Sequence, residues 1–161
     1  MALLNIIKLG DDILRKKCRK VEEITPRILT LLDDMKDTLL KADGAGLAAP
    51  QVGILKRIAL IIDFDDNNKI YELINPEIIA AEGEQQELEG CLSVPNEWAI
   101  TKRPMKVTVR ATDRNGCEFT LTGEGMLARE ICHETDHLDG KLFIDGAVHV
   151  LTPEEKKEYF E

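Results

Sequence analysis

From Thr25 to Gly44 the chain reads TPRILTLLDDMKDTLLKADG. Ile28, Leu31, Leu32, Met35 and Leu39 recur at intervals of three and four, which gathers their side chains on one face of a helix. Thr25 is placed to cap that helix, Pro26 suits its first turn, and Gly44 can end it in a left-handed conformation. The period is then lost. GAGLAAPQVG, residues 44–53, is small, apolar and interrupted by proline, which predicts a buried irregular loop belonging to neither regular element. Short apolar or alternating runs bounded by turn residues predict strands at 57–63, at 69–75 after the DDNN turn, and around 77–88. MKVTVRATD and CEFTLTGE flank RNG with alternating side chains, a hairpin whose turn is supplied by Asn115 and Gly116. Helical spacing returns over 125–138, where Met126, Ala128 and Ile131 are apolar and Gly140 lies just past the end. Thr152, Pro153 and Glu155 mark the capped start of a short last helix.

No repeat, linker or low-complexity tract interrupts this order. It predicts an α+β fold, with antiparallel sheets wrapped around a central helix, an N-terminal helix and a short C-terminal helix. The length of 161 residues suits one domain over 1–161.

Composition narrows the function classes. Hydrophobic residues make up 43% and charged residues 32%, which excludes a disordered chain, and the longest apolar run, IALII at 58–62, is too short to cross a bilayer. The N-terminal MALLNIIKLGDDILRKK lacks the layout of a secretory signal, so a cytoplasmic protein is expected. Its four cysteines, Cys18, Cys91, Cys117 and Cys132, are then reduced and free to act as ligands, nucleophiles or core residues. A net charge of −9 argues against a broad nucleic-acid-binding face. The basic run RKKCRK at 15–20 is read as a solvated segment rather than an RNA contact.

The chemistry concentrates in HETDH, residues 133–137. Positions four apart share a helical face, so His133 and His137 can address one ion while Glu134, about 100° around the axis, points to its flank. That is the arrangement of a metal hydrolase, in which a carboxylate takes a proton from the water that the metal activates. A third protein ligand is then needed. Downstream, Asp139, Asp145 and His149 are available but unsupported by spacing. Upstream, EGCLSVP at 89–95 offers Cys91, and one thiolate with two imidazoles and a water makes a tetrahedral site. Cys132 points about 100° away from His133 around the helix and does not share that ion. Cys18 and Cys117 read as structural. Glu89 and Arg103 are expected to pair and hold the Cys91 loop in place.

Three separated motifs, GAGLAAPQ at 44–51, EGCLS at 89–93 and HETDH at 133–137, together resemble the bacterial-type peptide deformylases, over a similarity running from the N-terminus to about residue 145. The resemblance implies removal of the formyl group from the N-terminal methionine of newly made proteins. It assigns Cys91, His133 and His137 as metal ligands and Glu134 as general acid and base. Gln51 and the backbone N–H of Leu92 would hold the formyl oxygen, and Gly46, with Ala45 beside it, would contact the substrate backbone. Iron(II) is the native metal it implies, with zinc(II) or nickel(II) in purified protein.

Substrate-side candidates are Glu89, Trp98, Met126 and Glu130. Two of these depart from the family pattern: Trp98 stands where many relatives carry arginine or another cleft-wall residue, and Glu130 where a small or apolar residue is usual. Glu130 would either sit beside the methionine pocket or turn aside to Arg129 or Lys102. The implied partners are N-formylmethionyl nascent chains, met by a monomer. The brief, mixed-charge EEKKEYFE suggests at most a weak ribosome contact. The rival readings are an HExxH-type zinc metallopeptidase and a non-catalytic metal-binding domain.

Overall fold

The computed structural model describes residues 2–161. Helix α1, Pro26–Ala42, begins where the Thr25 side chain accepts a hydrogen bond from the Ile28 N–H, and Pro26 fills a position that has no amide to satisfy. It ends one residue earlier than Gly44 suggested. Asp43 takes the left-handed conformation (φ 58°) and donates its N–H to Leu39 and Leu40, a role that a short polar side chain tolerates.

Among the described residues, eight strands form two antiparallel sheets. The larger runs β1-β2-β3-β6-β7, from Gly46–Ala48, Ile58–Asp63, Lys69–Glu82, Lys106–Thr112 and Glu118–Glu124. The smaller runs β4-β5-β8, from Gln85–Cys91, Val94–Arg103 and His149–Val150. Helix α2, Met126–Leu138, lies between them, and α3, Pro153–Phe160, closes the chain behind the expected Thr152 capping box.

The strands expected at 69–75 and 77–88 are divided differently. β3 is continuous for 14 residues and bends at a register shift between Ile74 and Glu77, where Asn75 is left-handed and its side chain clamps the backbone of Val21. Its first half pairs with β2 and its second with β6. The chain then turns at Gly83 (φ 72°) and starts β4 in the other sheet. β5 was not anticipated, because Pro95 and the left-handed Asn96 disguise its start.

The IALII run is apolar without alternation because β2 is buried on both faces. Ile58, Leu60 and Ile62 pack with Ile28, Leu32, Met35 and Leu39 of α1, while Ile61 packs with Ala128, Ile131 and Cys132 of α2. Val107, Val109 and Ala111 of β6 complete the α2 contact, and Leu138 meets Ala48, Ala59 and Cys18. Val94 and Ala99 of the small sheet pack with Leu142 and Phe143.

Truncating Ile131 to alanine opens a void between α2 and the sheet and is expected to cost about 2–5 kcal/mol, read as a lower urea midpoint. Ile79→Ala, on an exposed stretch of β3, should shift stability by less than about 0.5 kcal/mol.

Candidate active site

With Ala128, Ile131 and Cys132 turned to the large sheet, α2 presents His133, Glu134 and His137 on its opposite side, and all three are buried. Cys91 ends β4, where the strand closes onto β5 through its pairing with Val94. Its Sγ lies 3.3 Å from His137 Nε2, and one ligand atom each from Cys91, His133 and His137 fall within 4.8 Å of one another. Donors that each bind an ion at about 2.0–2.3 Å must sit this close together. The other candidates for a third ligand have partners elsewhere: Asp139 pairs with Arg57, Asp145 with Arg15, and His149 with Glu155. Cys132 faces the large sheet, and burial pushes its thiol up to about 11. Cys18 is buried and likewise held protonated, and Cys117 is exposed.

The His133 ring is fixed from behind. Its Nδ1 lies 2.5 Å from Glu89 Oε1, so Nε2 is the nitrogen available to an ion. Glu89 is in turn saturated: Arg103 Nη2 donates to Oε1 at 2.8 Å, Arg103 Nε to Oε2 at 3.3 Å, and the Thr101 hydroxyl also donates to Oε2. Burial alone would raise the Glu89 pKa, but the hydrogen bonds from His133 and Arg103 outweigh it and bring the group down to about 2. Arg103 Nη1 also reaches Asp136 Oδ2 at 2.7 Å, tying the β4–β5 hairpin to α2. The Glu89–Arg103 pair was anticipated; Thr101 and Asp136 were not.

GAGLAAPQ is less irregular than its composition suggested. Gly46–Ala48 forms β1, paired with β2 through Gly46 opposite Ile61, and Ala49–Val52 is a turn of 3₁₀ helix. The turn places Gln51, whose Oε1 accepts from the Ala48 N–H at 2.9 Å. Its Nε2 donates to Ser93 Oγ at 3.1 Å and lies 3.6 Å from Cys91 Sγ. Ser93 is a partner that only the fold reveals.

Gly46 has a steric duty beyond the one foreseen. A Cβ there would lie 2.5 Å from Glu134 Oε2, so the missing side chain makes room for that carboxylate. Burial pushes Glu134 up to about 7, and its Oε1 has no hydrogen-bond partner among the described residues.

Cys91, His133 and Glu134 line a cleft of about 550 Å³. Ala45, Gly46, Glu89, Trp98, Met126 and Glu130 all line it, as do Gln51 and Leu92. The Trp98 ring lies across Gly90, where a Cβ would come within 2.6 Å of it, and leans on Phe160 with ring centres 5.0 Å apart. Glu130 takes neither suggested partner. Lys102 is bound to Glu84, Arg129 forms no hydrogen bond with Glu130, and burial together with the charge of Glu134 pushes Glu130 up to about 8.

A family model described as polypeptide deformylase matches residues 3–152. The chain belongs to the polypeptide deformylase family. A peptide deformylase of Caldicellulosiruptor bescii is 54% identical over 155 residues, covering 96% of this chain and 92% of the relative. One from Lachnoclostridium phytofermentans is 50% identical over 161 residues, covering 98% and 99%. Among solved structures, a Legionella pneumophila peptide deformylase is 42% identical with a TM-score of 0.86, covering 97% of this chain and 90% of that one. An Ehrlichia chaffeensis peptide deformylase in complex with actinonin is 34% identical with a TM-score of 0.87, covering 99% and 94%.

Deformylase membership makes the support behind His133 worth testing. Glu89→Ala removes the acceptor that orients the imidazole and leaves Arg103 short of a partner. It is expected to weaken zinc binding by about 10–100-fold in a chelator competition. Unchanged affinity would show that the ring needs no such support.

Proposed function

We propose that this chain removes the formyl group from the N-terminal formylmethionine of newly synthesised polypeptides by hydrolysis, releasing formate. The observation that carries this reading is the convergence of Cys91, His133 and His137 with Glu134 and Gln51 at an open cleft, in a chain of the deformylase family.

The donor set fits a divalent metal. One sulfur and two imidazole nitrogens match iron(II), zinc(II) or nickel(II) in softness, and this reading takes iron(II) as the native ion. Three protein donors, rather than four, leave a coordination position open, as catalytic sites require and structural ones do not. When bound, the cation supplies positive charge that acidifies a water and polarises a carbonyl.

The chain's own groups do the rest. Glu134 accepts the proton of the attacking water and returns it to the nitrogen of the leaving amine, so water and formamide become formate and a free N-terminus. Gln51 Nε2 and the Leu92 N–H donate to the formyl oxygen as it gains charge. The contact to Ser93 fixes the Gln51 amide in advance, so no ordering is left for the moment of reaction. β1 is the edge of the large sheet, and Gly46 offers backbone there to an extended peptide, while Ala45, whose carbonyl accepts from the Ile62 N–H, lines the cleft beside it.

Among the described residues no helix is long and apolar enough to cross a membrane. The reading is of a cytoplasmic monomer acting on nascent chains. The mixed charges of α3 favour no more than a weak ribosome contact.

Metal-loaded protein should release formate from formyl-Met-Ala-Ser without cutting internal peptide bonds. Glu134→Gln should retain metal by elemental analysis while losing about 10²–10⁴ in kcat. Gln51→Ala should lose about 10²–10³. Full turnover in Glu134→Gln would remove the assigned proton carrier and the mechanism with it.

A further inference from the structure

Glu130 sits on α2 one turn before Glu134, a rise of about 6 Å along the axis, and both residues line the same cleft. It is 7% exposed, and neither carboxyl oxygen has a hydrogen-bond partner among the described residues. The cationic groups near it, Arg129 and His133, act on it only through charge, and neither donates it a hydrogen bond. Asp63 and Glu134 add only like charge. A buried polar group without a partner destabilises the protein, and such groups persist where a ligand supplies what the protein does not.

A substrate would supply it. With the formyl group beside Glu134 and Gln51, the first side chain starts close to Glu134, and four unbranched bonds extend about 5 Å. That reaches the turn carrying Glu130. Buried, unpartnered and one turn from the carboxyl of Glu134, the Glu130 carboxyl is favoured in its neutral form, which holds an O–H to donate.

The structure assigns Glu130 as a specificity-determining residue of the cleft, favouring a first side chain with a hydrogen-bond acceptor near its tip over a hydrocarbon of the same length. A thioether is a weak acceptor and a sulfoxide a strong one, whereas a methylene at the same place leaves the carboxyl unpaired. This assignment rests on the deformylase reading.

The test uses three substrates, formyl-Met-Ala-Ser and its norleucine and methionine-sulfoxide counterparts, with metal-loaded wild type, Glu130→Gln and Glu130→Leu. The readout is the ratio of kcat/KM for sulfoxide over norleucine, with methionine between them. A ratio taken within one preparation cancels differences in folded or metal-loaded fraction. Glu130→Leu should lower the ratio by about tenfold, the worth of one neutral hydrogen bond, and Glu130→Gln, whose amide still donates, should keep it. Hydrolysis of all three with the same ratio in Glu130→Leu as in wild type would overturn the assignment alone. No formate from any substrate with the wild type would overturn the deformylase reading and this assignment together.

Discussion

Burial of Ala128, Ile131 and Cys132 against the large sheet fixes how α2 is rotated about its own axis. A helix of 3.6 residues per turn has no independent choice of direction for its remaining positions. Once those three face inward, His133 and His137 face the small sheet and Glu134, on their flank, meets Gly46 at the edge of the large one. The hydrophobic core and the candidate metal site are thus two sides of one helix. Errors in core packing become errors in the aim of the imidazoles.

The small sheet solves the complementary problem of bringing Cys91 to that face. Residues two apart on a strand point the same way, so Glu89 and Cys91 both address α2 from β4. The register shift between them puts its extra residues on β5, two steps of β4 from Glu89 to Cys91 facing five of β5 from Ala99 to Val94. Arg103 on β5 grips Glu89 on β4 and Asp136 on α2 at once, so one guanidinium holds hairpin and helix in register. A charge network of this sort is expensive to bury unless every lone pair is matched, and around Glu89 it is.

Much of this could be read from the chain because it depends on local periodicity. The stripe of α1, the HETDH spacing on α2 and the β6–β7 hairpin each follow from residues near one another in sequence. What escaped reading depends on partners far apart. Ser93 matters because Gln51 folds onto it, and Asp136 because Arg103 reaches across from another sheet. The division of 77–88 turned on Gly83, whose single left-handed residue moves the chain from one sheet to the other. β5 escaped because proline and a left-handed asparagine mask a strand that its pairing with β4 sustains. Cys91 as a candidate ligand was legible only by elimination and family likeness, since nothing in its local sequence points toward a helix some forty residues onward.

The tilted contact between the Trp98 and Phe160 rings joins the cleft to a helix that buries none of its own side chains. α3 is eight residues long with no buried side chain, a length at which a helix is marginal on its own. The indole thus rests on Gly90 of β4 on one side and on a helix without buried side chains on the other, whereas His133 and His137 ride on a helix locked into the core. One wall of the cleft and the candidate metal site are therefore held by separate parts of the fold.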